Sequence, residues 1–184
     1  HFSKVIDEAD IIVMQAEIPY ETIKRIALLA KQKGKKVLFN PAPACLIDEE
    51  LMKAIDILVV NELEAAFISG IEYTGNNLEE IALSLLQAGA RNAVITLGSQ
   101  GVYMKNDKEI IQLPGYKVNA IDTIAAGDTF CGALAVICAQ REIDRDALSF
   151  ANAAAAIAVT RSGAQPSIPT LTEVNAFIHP QINF

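Results

Sequence analysis

Apolar positions along the chain alternate between two periods, and the alternation predicts most of its elements. "ADIIVMQAE" (9–17) is a buried strand that ends on a polar residue. "PYETIKRIALLAKQKG" (19–34) follows, with Pro19 near a helix start, Ile23, Ile26, Ala27 and Ala30 at helical spacing, and Gly34 as its stop. "KVLFN" (36–40) is the next strand, and its end runs into "NPAPA", which suits neither a helix nor a central ladder. A short helix near 48–54 leads to the strand "DILVVN" (56–61), helices over 62–69 and 77–89, and the strand "NAVITLG" (92–98). "GVYMKNDKEIIQLPG" (101–115) reads as a hairpin with Asn106-Asp107 between two β-rich runs. Two helices of small and apolar residues, 125–140 and 146–163, come next and are expected to be buried and closely packed. A last helix spans 171–178 and opens on Thr170 and Glu173, spaced as a capping box.

Strand, helix, strand repeats several times, and the strands are apolar on both faces. That pattern predicts an α/β fold: a mostly parallel sheet with helices on both faces, three-layered, with a β-hairpin inserted. The 184 residues suffice for one domain with a sizeable core, and no internal repeat or low-complexity linker interrupts them.

Composition narrows the partners. The chain is 52% hydrophobic with a mean hydropathy of +0.29, yet no apolar run approaches the length of a membrane span, so no membrane partner is expected. A net charge of −7 and a pI near 4.8 argue against nucleic acid, although a local site can still hold a small anion. The start, "HFSKVIDEAD", shows no secretory signal, and the three cysteines, Cys45, Cys131 and Cys138, have no metal spacing. Small buried thiols in a reducing cytoplasm are the expectation. Two histidines, at position 1 and near the C-terminus, make a His-based triad or zinc site unexpected.

Ligands of an open parallel sheet bind beyond the carboxyl ends of its strands. Four candidate segments fall there: Glu17, the Asn40-Pro-Ala-Pro loop, Asn61 with Glu64, and Thr96–Gly101. Each could be a mere loop former; their convergence on one edge favours a site. Neither G-x-x-x-x-G-K-[ST] nor G-x-G-x-x-G occurs. What remains is "DTIAAGDTF" (122–130), where a carboxylate directly follows Ala-Ala-Gly at a helix start. Asp128 could cap that helix. Alternatively the small residues let the backbone approach a phosphate, the helix N–H groups supply positive potential, and Asp128 takes a proton from an attacking hydroxyl.

These residues carry a family resemblance. "DTIAAGDTFCGAL" (122–134) resembles the second signature of the ribokinase-like sugar kinases; "VVNELEA" (59–65), "ITLGSQGV" (95–102), "FNPAPA" (39–44) and "NAAAAIAVTRSGAQPSIP" (152–169) resemble further segments of that family in the same order. The resemblance implies an ATP-dependent kinase that phosphorylates a sugar's primary hydroxyl, with D-ribose to ribose 5-phosphate the first choice. Fructose, adenosine or a ketodeoxy sugar acid are the alternative substrates, and a non-catalytic nucleotide-binding module is the alternative function. It implies Asp128 as catalytic base, in contact with the substrate, and Ala126 and Gly127 as a backbone anion hole. For ATP it implies Asn61 and Glu64, which organise phosphates and Mg²⁺, then Thr96, Leu97, Gly98, Ser99, Gln100, Gly101, Gly127 and Asn152. A K⁺-like monovalent cation would lie among Asp122, Ile124, Ala158, Arg161, Gly163 and Ser167, and Glu17 would contact the sugar. Position 152 is asparagine where the resemblance leads one to expect histidine. A whole enzyme of this kind is considerably longer. Residues 1–184 are therefore expected to be its C-terminal, nucleotide-binding part. The N-terminal half, with most sugar contacts and a lid that makes a homodimer interface, would be missing.

Overall fold

A computed structural model describes residues 2–179, so His1 lies outside it. The chain divides into two compact units: one holds the chain up to Leu97 together with Val102–Gln112, the other holds Gly98–Gly101 and the chain from Leu113.

The first unit runs α1 (Phe2–Glu8), β1 (Ile11–Gln15), α2 (Tyr20–Gln32), β2 (Lys36–Asn40), α3 (Glu49–Ala54), β3 (Ile57–Asn61), α4 (Glu62–Ser69), α5 (Leu78–Gln87), β4 (Asn92–Thr96), β5 (Val102–Asn106) and β6 (Ile110–Leu113). Its six strands lie in sequence order, β1 to β4 parallel and β5 antiparallel to β4. Adjacent parallel strands joined in this order by right-handed crossovers place α2 to α5 on one face of the sheet. Val37, Phe39, Leu58, Val60, Ala93 and Ile95 form that face and pack with Ile23, Ala27, Leu51, Ala65, Ile81 and Leu85 from the helices. The alternate residues Leu38, Val59, Val94, Val102 and Met104 are as fully buried, so the central strands are covered on both faces, as their unbroken apolar runs predict.

Element boundaries differ from expectation mainly at the ends. β1 is confined to Ile11–Gln15 rather than 9–17, because the Ala9 N–H closes α1 on the Ile6 carbonyl and Ala16 onward is turn. The α1 helix itself was not predicted; over residues 3–8 Ile6 alone is buried, so the pattern there is too weak to read. β4 stops at Thr96 rather than 98, and Gly98–Gln100 form a single 3₁₀ turn. The hairpin is present, and the Asn106 side chain accepts from the Lys108 and Glu109 N–H groups to shape its turn.

The second unit contains α6 (Ala126–Cys138), α7 (Arg145–Ala158) and α8 (Leu171–Ile178). α6 and α7 pack together, and Ala153, Ala154 and Ile157 of α7 join Val174 of α8 in a small core. The predicted helix 146–163 is shorter than expected. It begins where Asp144 caps the Ala147 N–H and ends at Ala158. There the Thr160 hydroxyl binds the Ile157 carbonyl, and Gly163 takes a left-handed φ of 86°. The capping box at Thr170 and Glu173 is present as predicted. Glu173 also accepts from Arg161, which, with the Thr170 bonds, holds its carboxyl down to about 2.

A polar clamp fixes the amino ends of the strands. The Asp56 carboxylate is buried and accepts from the Val37 N–H at 2.9 Å and from Arg91 at 3.0 Å; Asn92 Nδ2 donates to the Asp56 carbonyl, and Asn106 Nδ2 donates to Asn92 Oδ1. Asp56→Ala leaves the Val37 N–H unpaired in the core. It is expected to cost about 1–3 kcal/mol, seen as a lower urea midpoint with an unchanged slope.

Candidate active site

In the first unit the carboxyl ends of the parallel strands present a row of polar residues. Register pairs Gln15 with Asn40 and Asn61 with Thr96. Gln15 Nε2 donates to Asn40 Oδ1 at 3.2 Å, and buried Asn40 passes its own Nδ2 to the Val59 carbonyl at 2.9 Å. Thr96 Oγ1 donates to the Val60 carbonyl. The row is thus held by side-chain hydrogen bonds between neighbouring strands, to a side chain at Gln15 and to backbone carbonyls at Asn40 and Thr96. Gln15, the last residue of β1, was not singled out from sequence, since a lone Gln in an apolar run signals only a strand end. Glu17 lies two residues past β1 in an exposed turn, and the peptide bond Ala42–Pro43 in the loop after β2 is cis.

Asn61 and Glu64 form a reciprocal capping box at the start of α4. Asn61 Oδ1 accepts from the Leu63 and Glu64 N–H groups, and Glu64 Oε2 accepts from the Asn61 N–H at 2.9 Å. Glu64 therefore has a structural role as a first-turn acid of α4. The box uses only Oδ1 of Asn61 and Oε2 of Glu64. A half-buried carboxylate fixed at a strand end is also a donor of the hard-oxygen kind that Mg²⁺ takes, so the residues fit such an ion.

In the second unit, "DTIAAGD" opens α6 in a strained way. Ala125 is the N-cap with φ 61°, the one non-glycine residue in the left-handed region among the described residues. For an L-residue with a Cβ that costs about 1–2 kcal/mol. Such strain persists where the surroundings demand it, commonly at functional turns. No side chain caps the helix. The first intrahelical bond runs from the Thr129 N–H to the Ala125 carbonyl; the Ala126 N–H reaches the Thr123 carbonyl only at 3.3 Å, and the Gly127 N–H also precedes the first intrahelical bond. Uncapped N–H groups with the helix dipole behind them suit an anion. Asp128 stands inside the first turn, not at the cap position, and is exposed together with Gly127. Sequence alone does not reveal the strain at Ala125, because alanine is not the residue expected at positive φ.

Asp122 ties two loops. Its Oδ1 accepts from the Ile124 N–H at 2.9 Å and its Oδ2 from the Gly163 N–H at 3.1 Å. These two bonds, Ile124 first, hold its carboxyl below the ordinary carboxylate range. The N–H groups of Ile121 and Asp122 both donate to the Val159 carbonyl. Asp122, Ile124 and Gly163 thus come together beside the end of α7. Ala158 gives its carbonyl to the Arg161 N–H, the Arg161 side chain turns to Glu173, and fully buried Ser167 donates to the Ala164 carbonyl at 2.6 Å. Hard oxygens and turn carbonyls of this kind fit a monovalent cation.

Residues 98–101 belong to the same unit. Gly98 and Gly101 have φ of 54° and 102°, and the Gly101 N–H donates to the Gly98 carbonyl at 3.1 Å. Gly98, Ser99 and Gln100 are exposed, while Leu97 and Gly101 are buried. Asn152, on α7, is only 8% exposed and donates from Nδ2 to the Pro114 carbonyl at 2.9 Å. Elsewhere, a hollow of about 490 Å³ lined by Lys24, Asp48, Glu49, Glu50 and Lys53 holds charges that pair with one another, and it includes none of these residues.

Comparison with known proteins identifies the family. The family model described as pfkB family carbohydrate kinase matches residues 1–171. A ribokinase of Staphylococcus aureus is 42% identical over 169 residues, covering 91% of this chain and 56% of that protein. A ribokinase of Haemophilus influenzae is 39% identical over 174 residues, covering 94% and 57%. The structure of Arabidopsis thaliana ribokinase complexed with ribose and ATP superposes with a TM-score of 0.90 at 29% identity, over 96% of this chain and 58% of that one. Thermotoga maritima ribokinase superposes with a TM-score of 0.85 at 42% identity, over 96% and 59%. The chain therefore spans somewhat more than half the length of the relatives it matches.

Proposed function

The chain belongs to the pfkB family of carbohydrate kinases, and we propose that it is the C-terminal, nucleotide-binding part of an enzyme that transfers the γ-phosphoryl group of ATP to the primary hydroxyl of D-ribose. One observation carries this reading: an exposed carboxylate, Asp128, in the first turn of a helix that has no side-chain cap and opens on a strained alanine. The ribokinase relatives and the ribose- and ATP-bound Arabidopsis structure support the choice of sugar.

In the transfer, Asp128 takes the proton of the ribose 5-hydroxyl as its oxygen bonds to the γ-phosphorus. The bond from that phosphorus to the β,γ-bridging oxygen breaks, and ADP leaves. The Gly127 N–H and its neighbours at the start of α6 face the charge that develops on the phosphoryl oxygens. Thr96 to Gly101 hold the nucleotide. Asn61 and Glu64 hold phosphates and Mg²⁺, which when bound neutralises phosphate charge. Asp122, Ile124, Ala158, Arg161, Gly163 and Ser167 would hold K⁺, and Glu17 would meet the sugar. The remaining sugar contacts, the lid and a homodimer interface belong to the N-terminal part of the full-length protein, a cytoplasmic enzyme. Among the described residues no helix is long and apolar enough to cross a membrane.

A substrate screen of the full-length protein with ATP and Mg²⁺ tests this reading. Ribose is expected to give the highest kcat/KM over fructose, adenosine and ketodeoxy sugar acids; no transfer to any of them would reject it. Activity is further expected to rise with K⁺, and Asp122→Ala is expected to remove most of that response while leaving residual turnover. The tie made by Asp122 is complete above the ordinary carboxylate range and is lost only as pH falls through its depressed value. The K⁺ response is therefore expected to survive mild acidification. Equal rates in K⁺ and in a large organic cation at matched ionic strength would remove the cation from the account.

A further inference from the structure

Asn152 and Ser149 lie three residues apart on α7, so their side chains share one face of the helix. Both reach the same segment. Asn152 Nδ2 donates to the Pro114 carbonyl at 2.9 Å, and the Ser149 hydroxyl lies 3.1 Å from the Tyr116 hydroxyl. Tyr116 also packs its ring on Phe177 of α8, with centroids 5.0 Å apart. Residues 113–116 therefore form a strap held to α7 at two points. The strap in turn lies backbone to backbone on the turn 98–101. A Cβ added to Gly115 would stand 2.1 Å from the Ser99 carbonyl oxygen, and one added to Gly101 would stand 2.1 Å from the Leu113 carbonyl oxygen. Neither chain has room to shift toward the other, and a strap that moves away leaves the turn unsupported on its buried side. The Asn152 amide is itself buried, so the hydrogen bond to Pro114 is protected from competing water.

We propose that Asn152 is a positioning residue for the nucleotide: it holds the strap 113–116, and through the strap the turn 98–101, rather than reading the base. The proposal rests on the reading of Thr96–Gly101 as the nucleotide loop. It assigns the asparagine a task that its short amide performs through Pro114. The consequence is specific. Loss of the bond loosens the loop for every nucleotide alike, whereas loss of a base contact changes the preference among bases.

The test uses the full-length protein with ADP, ATP and GTP, and reads affinity by calorimetry and amide exchange at Ser99, Gln100 and Gly101. Asn152→Ala is expected to weaken all three nucleotides by one common factor of about tenfold and to speed exchange at Gly101 by a similar factor. KM for ATP should rise while kcat changes by less than about twofold. Asn152→His, whose ring Nδ1–H reaches about as far as the asparagine amide, is expected to restore both readouts. Should Asn152→Ala not fold, Tyr116→Phe keeps the ring on Phe177, removes the second tether, and is expected to speed the same amides to a smaller degree. A changed ATP-to-GTP ratio with unchanged exchange would show a base contact and overturn the strap. Unchanged affinity and exchange in Asn152→Ala would overturn it as well. Wild-type protein that binds no nucleotide would instead refute the nucleotide loop itself, and the proposal with it.

Discussion

Asp128→Asn in the full-length enzyme is expected to keep its fold and its nucleotide affinity and to lose a factor of about 10²–10⁴ in kcat, the usual contribution of a positioned general base. The substitution is nearly isosteric, and Asp128 is exposed in the first turn of α6. Removing its negative charge forfeits a favourable interaction with the helix dipole, about 0.3–1 kcal/mol at an exposed site, which is too little to unfold the protein. Asn61, Glu64 and Thr96–Gly101, proposed above to hold the nucleotide, are untouched. The loss should therefore fall on kcat and not on the affinity for ADP, measured by calorimetry beside steady-state kinetics. A near wild-type kcat would remove Asp128 from the base role and leave it a first-turn helix acid.

The 184-residue chain by itself is expected to bind ATP or ADP weakly and to phosphorylate no sugar. It spans 56–57% of the ribokinases it resembles, and in the proposed account the lid and most sugar contacts lie in the remainder. Holding an alcohol in line with a phosphate is worth effective molarities on the order of 10⁵ M or more, and a chain without those contacts forgoes it. Any residual transfer goes to water, since Asp128 is open to solvent. The β1 strand is one edge of the sheet, and Val13 on it is 45% exposed. An unpaired apolar edge invites pairing with another chain, so self-association that grows with concentration is expected in light scattering. Ribose phosphorylation by this chain at the full-length rate would show that the sugar site has been placed wrongly.

The parallel sheet was legible because its strands carry the signal in consecutive residues. "KVLFN" carries Val37, Leu38 and Phe39 in succession, lies between Gly34 and a proline-rich loop, and forms β2 with the predicted bounds. The box at Thr170 and Glu173 needs only two residues three apart, and it too was readable. What escaped depends on partners far along the chain. The Asn152 bond to Pro114 spans 38 residues, and the Asp122 bond to Gly163 spans 41, so neither has a local pattern. The end of α7 escaped for the opposite reason: "AVTRSG" continues an alanine-rich run, and only the Thr160 back-bond and the left-handed Gly163 stop it. In the candidate site, the acid and the small residues at 122–128 were visible as a motif. The turn that aims them was not, because Ala125 occupies a conformation that its side chain disfavours.

The central claim is phosphoryl transfer from ATP to ribose with Asp128 as the base. Its most direct test is a ³¹P NMR time course of the full-length protein with ATP, Mg²⁺, K⁺ and ribose, run beside Asp128→Asn. The account predicts that the γ-phosphate signal converts to ribose 5-phosphate in step with ADP, and that the variant shows no conversion on the same timescale while still binding ADP. Release of free phosphate without sugar phosphate, or equal conversion by the variant, would contradict it.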